Sequence, residues 1–194
     1  MRIRYPQVND ISTMSDQNTV WQQLEDGSGG WFGYCKEGFV RFWGTGGGAN
    51  DMETVNVTMY FDSGEFWCVH GTAIADYKFG PTLRNGAVLV LWARTLRSAL
   101  AACTKFGAIP VFKVQAGLFG VEGVRWPGET QSQAPAARKE FCVEERQSRD
   151  WSDEAQILFL TEAYAKVLDL FGLPPSGSQQ VRDLLESLGF GYPY

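Results

Sequence analysis

The sequence predicts an α+β fold with a largely antiparallel sheet of about five strands, packed against a long central helix and a C-terminal helical segment. Apolar and polar residues alternate over several short stretches, which is typical of half-buried strands. Two longer stretches, near 83–106 and 153–171, carry apolar residues at helical spacing. Strands and helices do not alternate strictly along the chain, and a parallel βαβ sheet is therefore not favoured.

In the N-terminal half, alternation at 39–43 predicts one strand, and the glycine-rich loop 44–51 follows it. Alternation resumes at 54–61, and the turn residues 62–64 lead into a further apolar stretch at 65–70. Because two alternating stretches flank a short Asp-Ser-Gly turn, we expect 54–70 to form a β-hairpin. The polar residues before position 30 predict an arm with a short helix.

The second half begins with the long helix near 83–106, which Gly107 is expected to end. Alternation predicts strands at 110–118 and 138–146, separated by an exposed loop rich in Pro, Gly, Ser and Gln. Ser152 has the character of an N-cap for the helix that runs to about 171. A shorter helix follows near 179–188. We therefore divide the chain into an N-terminal arm (1–30), an α+β core (31–172) and a C-terminal helical appendage (173–194).

Composition excludes several classes of protein. The 194 residues include 14% aromatic residues and seven Trp, more buriable surface than disordered chains carry. The net charge is −5, which disfavours a non-specific nucleic-acid binder. The charged residues form no block of like charge along the chain. The four cysteines are widely spaced and do not form the close pairs typical of zinc sites. We expect free thiols in a cytoplasmic protein, with no cofactor, no metal and no membrane contact.

No catalytic residue is assigned, and His70 is interpreted as a structural histidine at the edge of the sheet. In the catalytic alternative, Cys68 and His70 would act as nucleophile and base. They stand two residues apart on a predicted strand, and their side chains should therefore share one face.

Two candidate binding sites follow from glycine and arginine. Gly46, Gly47, Gly48 and Asn50 belong to a loop that could close over a ligand, although a strand follows where phosphate loops have a helix. Three arginines on or before the long helix could meet phosphate or carboxylate groups, unless they form a solvated helix face. These residues are Arg84, Arg94 and Arg97.

Three stretches carry a family resemblance: VTMYFDSGEFWCVHG at 57–71, VLWARTLRSALAACTKFGA at 90–108 and PVFKVQAGLFGVEGVRW at 110–126. Their pattern of apolar residues and glycines resembles the region that follows the AlbA-like DNA-binding domain in bacterial Schlafen-related proteins. The resemblance covers 31–172 and implies an accessory or sensing domain in a regulatory or defence-related protein. Because this chain lacks the AlbA-like part, the resemblance assigns no site residue.

The leading hypothesis is a non-catalytic binding or interaction domain of a cytoplasmic bacterial or phage protein, with a protein partner or a second copy of itself. High aromatic content and the long apolar C-terminal helix favour such an interface. One alternative is a small hydrolase or nuclease that uses His70 with nearby carboxylates. The other is nucleic-acid contact through the three arginines.

Overall fold

A computed structural model describes residues 2–4, 31–45, 53–61, 65–78, 80–105, 107–128 and 134–191. Its strands are β1 (Arg2–Arg4), β2 (Trp31–Cys35), β3 (Gly38–Thr45), β4 (Glu53–Phe61), β5 (Glu65–His70), β6 (Ile74–Tyr77), β7 (Gly80–Leu83), β8 (Phe112–Leu118) and β9 (Cys142–Ser148). Its helices are α1 (Asn85–Lys105), α2 (Asp153–Leu170) and α3 (Ser178–Ser187). Helices and antiparallel strands occur together, which confirms the α+β class.

The chain divides into two compact units. Unit 1 comprises Met1–Gly71, Arg94–Val114 and Gln147–Arg149, and unit 2 comprises Thr72–Ala93, Gln115–Arg146 and Asp150–Tyr194. Both units combine segments that are distant in the sequence. The sequence-based division at 30 and 172 stays a prediction.

Unit 1 contains an antiparallel run of strands in the order β2-β3-β4-β5-β1. The predicted hairpin is present as β4 and β5, with Thr58 opposite Cys68 and Tyr60 opposite Phe66. These four side chains are buried, whereas Trp67 and Val69 on the other face of β5 are exposed. The period-two pattern in the sequence therefore separates a buried face from an exposed one.

The start of β3 is a position that requires glycine, and Gly38 occupies it. Its φ is +146°, and a Cβ atom would collide with the carbonyl oxygen of Tyr60 on β4. Since only glycine combines this backbone conformation with so close an approach, Gly38 allows β3 to pair with β4 at this point.

Unit 2 is built around α2, whose apolar stripe is almost completely buried. Ser152 is the N-cap, as expected, and its hydroxyl accepts a hydrogen bond from the backbone N–H of Ala155. Helix α3 adds two fully buried residues, Val181 and Leu185. Strand β9 is tied to α2 by the ion pairs Arg146–Glu162 (2.6 Å) and Lys166–Glu144 (3.0 Å).

The structure differs from the sequence-based expectations at several places. Arg2–Arg4, expected in an arm, form β1 and pair with β5. Strand β2, which pairs with β3, was not predicted. Strands β6 and β7 pair antiparallel, and the sequence analysis did not predict them either. Strand β9 begins at Cys142 rather than at 138, because Arg138 donates its backbone N–H to Leu170 at the end of α2 instead of continuing a strand.

Candidate functional site

Cys68 and His70 lie on the inner face of β5, as the sequence predicts, and they are in contact. The Sγ atom of Cys68 is 3.0 Å from Nε2 of His70, and the Oγ1 atom of Thr58 on β4 is 3.3 Å from the same sulfur. The three side chains form a row, because Thr58 pairs with Cys68 and His70 follows two residues later on the same face. Cys68 is 4% exposed, and His70 is half-buried at the end of the strand.

The row favours the ionised form of the thiol. Burial of Cys68 disfavours a charge, but the hydrogen bond and charge of His70 and the hydrogen bond from Thr58 together outweigh it. The pKa of the Cys68 thiol is consequently lowered from its usual value. A thiolate beside an imidazolium is the reactive form of cysteine in proteins.

The predicted glycine loop lies outside the described residues. Gly46, Gly47, Gly48 and Asn50 all belong to it, and their role as a binding loop stays a prediction.

The three predicted arginines occupy different places. Arg84 is exposed directly before α1, and its backbone N–H donates to the carbonyl of Ala73. Arg94 is exposed and Arg97 is half-buried on the later turns of α1. Ten residues of helix correspond to about 15 Å along its axis, and Arg84 therefore does not form one cluster with Arg94.

Arg84 lines a groove of about 570 Å³ in unit 2, at the start of α1. The wall includes the half-exposed ring of Tyr77, the polar side chain of Asn85 and the aliphatic side chain of Leu188, which rests close to Gly86. The first turn of α1 has no acidic residue. A guanidinium and a helix start both attract anions, so the groove suits an anionic group on a partly apolar body.

Among the residues whose exposure the structure describes, the most exposed aromatic side chains lie where β8 ends and β9 begins. Phe119 is 70% exposed and Phe141 is 55% exposed, and their rings stack at 5.8 Å with an angle of 15° between the planes. The sequence analysis did not assign either residue to a site. Phe119 directly follows the alternating stretch 110–118, in phase with its exposed face, and Phe141 lies within the predicted strand 138–146, in phase with Val143.

Further contacts show that the two strands run antiparallel around these rings. Going back along β8 from Phe119, Gly117 lies against Val143 and Gln115 donates a hydrogen bond to Glu145. A Cβ atom at Gly117 would collide with the carbonyl oxygen of Cys142, so glycine permits this close approach. We call the surface formed by Gln115, Gly117, Phe119, Phe141, Val143 and Glu145 the aromatic face.

Helix α2 contacts the backbone of β9 and the side chains on the face of β9 opposite the aromatic face. Lys166 donates to the carbonyl of Val143 and pairs with Glu144, and Arg146 pairs with Glu162. Glu144 and Arg146 alternate with the aromatic-face residues of β9, and their side chains therefore point to the opposite side. Within the described part of the chain, Phe119 and Phe141 remain exposed on the side away from α2.

Among the described residues, no group of three or more His, Cys, Asp and Glu side chains could hold a metal ion. Helix α1 is long and apolar enough, by length and composition, to cross a membrane, although 56% of that window is buried inside the protein. Core helices pass the same test, so this is weak evidence for a membrane span.

The candidate sites are thus the Thr58–Cys68–His70 row, the groove at Arg84 and the aromatic face. No family model, curated protein or solved structure matches this chain. The resemblance to Schlafen-related proteins therefore stays a prediction.

Proposed function

We propose that this chain is a non-catalytic binding domain that associates with a second copy of itself through the aromatic face. The observation that carries the proposal is the exposed, stacked pair Phe119–Phe141. With each ring offering about 200 Å² at full exposure, the two leave roughly 250 Å² of aromatic surface in water. The two rings are stacked at one place, and aromatic residues of this kind are enriched at the centres of interfaces.

The shape of the aromatic face supports a second copy as the partner. Next to the two rings, the strands carry only Gly117 and Val143, so the surface drops beside the phenylalanines. A two-fold axis between these rows would set the rings of one copy over Gly117 and Val143 of the other. Such an isologous contact uses each surface twice and buries both pairs of rings.

The charges around β9 are directed mainly away from the aromatic face. Lys139 precedes β9 and pairs at 3.5 Å with Asp169 near the end of α2, on the side opposite the rings. Glu144 and Arg146 also pair with residues of α2. Glu145 is the charged residue of the aromatic face, and it accepts a hydrogen bond from Gln115 beside it.

The size of the surface indicates a weak dimer. The roughly 250 Å² of the two rings is well below the ~800 Å² that each partner contributes to a standard stable interface. Association also costs about 4–15 kcal/mol of free energy, because each chain loses translational and rotational freedom. We therefore expect a reversible dimer that forms at high micromolar concentration.

Sedimentation velocity over a range of chain concentrations tests the proposal. The sedimentation coefficient should rise with concentration for the unaltered chain and stay at the monomer value for the double variant Phe119→Ser with Phe141→Ser. The matched control is Leu158→Ser, which removes a 46% exposed apolar side chain from α2 and should leave dimerisation unchanged. A monomer at all concentrations, or an equal loss in the control, contradicts the proposal.

The setting of this function is proposed on sequence grounds. The dispersed cysteines support a reducing, cytoplasmic compartment, and Cys68, Cys103 and Cys142 are free thiols. A regulatory or defence-related role is supported by the family resemblance alone. A hydrolase or nuclease at His70 and nucleic-acid contact through Arg84, Arg94 and Arg97 stay predictions.

A further inference from the structure

We propose that Cys68 is a modification site, at which a small peroxide converts the thiol to a sulfenic acid while His70 supplies the proton. The inference rests on the Thr58–Cys68–His70 row of unit 1 and is independent of the proposed dimer. Nothing in the binding function uses this row, in which a nucleophilic and a basic side chain are in direct contact.

The geometry places a proton carrier directly on the sulfur. At 3.0 Å, Sγ of Cys68 and Nε2 of His70 share a hydrogen bond through which one proton can pass. The hydroxyl of Thr58, at 3.3 Å, can donate a second hydrogen bond to the sulfur. Because His70 and Cys68 share one face of β5, the strand itself holds them together and no rearrangement is needed.

A comparison of Cys68 with Cys142 shows that the more accessible thiol is not expected to be the more reactive one. Cys142 on β9 is half-buried and therefore more accessible than Cys68. Burial raises the pKa of the Cys142 thiol, with a backbone hydrogen bond from Leu118 opposing this only in part. The accessible thiol is thus the protonated one, whereas the thiol beside His70 has a lowered pKa. Since thiolates are the nucleophiles, Cys68 should react first despite its burial.

The reaction balances with one equivalent of hydrogen peroxide. The Cys68 thiolate attacks one peroxide oxygen, the S–O bond forms and the O–O bond breaks. Sulfur loses two electrons and the peroxide gains them. The departing hydroxide takes the proton from the His70 imidazolium and leaves as water, so Cys68 becomes a sulfenic acid and His70 becomes neutral.

Burial restricts the size of the reagent. Cys68 is 4% exposed, while His70 is half-buried and the next residue, Gly71, is exposed. We therefore expect solvent to approach the row from the His70 end of β5. A peroxide should pass the imidazole there more readily than a bulky aromatic disulfide reagent. This size dependence distinguishes Cys68 from a simple surface thiol.

The experiment treats the folded full chain with hydrogen peroxide at pH 7 and traps sulfenic acid with dimedone, and mass spectrometry measures the rate at each cysteine. An ordinary thiol is only a few per cent ionised at pH 7, and Cys68 should therefore be labelled about tenfold faster than Cys142. In denaturant the difference should vanish. Equal rates in the folded chain, or faster labelling of Cys142, overturn the proposal.

Variants test the role of His70. His70→Gln keeps a polar side chain but cannot carry the proton, and should slow labelling of Cys68 about tenfold at pH 7. At pH 9.5 the thiol ionises without help, so most of the difference should disappear, which a loss of structure would not produce. Thr58→Val serves as the milder variant and should slow the reaction by a smaller factor. A His70→Gln chain that reacts at the original rate at pH 7 contradicts the inference.

Discussion

Placing a charge at Val143 tests the register of the proposed dimer. The two-fold axis sets Phe141 of one copy over Val143 of the other, so Val143→Glu would bury an unpaired carboxylate against a ring at two places in each dimer. At about 1 kcal/mol for each place, the change amounts to about 2 kcal/mol. Val143→Glu should therefore raise the dimer dissociation constant about 30-fold.

Val143→Thr nearly keeps the shape of the side chain without a charge and should leave the dissociation constant within about threefold of the original value. The matched control is Val69→Glu, which adds the same charge at a valine of β5 that is 58% exposed, and it should leave dimerisation unchanged. Sedimentation velocity measures all four chains.

Two outcomes would refute the reasoning about this register. The first is a Val143→Glu chain whose dissociation constant stays within twofold of the original. The second is an equal weakening in Val69→Glu, which would show that the effect does not depend on the aromatic face. Thermal unfolding of each variant shows whether the monomer itself stays folded.

Three further predictions concern stability, each measured by urea unfolding. Gly38→Ala should destabilise the chain by more than ~1 kcal/mol, because the new Cβ meets the carbonyl of Tyr60 at a φ of +146°; an unchanged midpoint would contradict the close approach. Ser152→Ala should cost about 1 kcal/mol through loss of the cap on Ala155, whereas Ser152→Asp should retain most of the stability. Phe159→Ala should cost about 3–5 kcal/mol, because the ring is fully buried; a smaller loss than for the cap variant would show that α2 does not form the core of unit 2.

Periodicity predicted the helices well because local geometry imposes it. The apolar stripes at 83–106 and 153–171 correspond to α1 and α2, with ends within two residues of those expected. The Ser152 cap was recognisable for the same reason, since a cap is a contact between neighbours in the chain. These interactions span four residues or fewer and leave a direct trace in the sequence.

Strands were harder to predict because their partners are distant. Arg2–Arg4 is too short to show alternation, and it is a strand only because β5 lies beside it. The start of β9 at Cys142 depends on Arg138 bonding to Leu170, 32 positions later. Pairing of this kind follows from tertiary contacts, and local preference contributes little to it.

The candidate sites were also predictable only in part, where local sequence patterns and not tertiary contacts bring the residues together. The sequence showed that Cys68 and His70 share a face, since they are two residues apart on one strand. The third member of the row, Thr58, was brought to the sulfur by the register of the β4–β5 hairpin. The Phe119–Phe141 pair was not foreseen, because 22 positions separate the two rings and only the pairing of β8 with β9 joins them.

The amino-acid sequence alone determined the class of fold, the two long helices, the hairpin β4–β5 and the face on which Cys68 and His70 lie. All of these follow from periodicities and turns that act over a few residues. Only the tertiary structure decided which strands became neighbours, and therefore which side chains meet at the aromatic face and around Cys68. The physical reason is that strand register depends on the burial of one whole face at once, a sum over residues from distant parts of the chain.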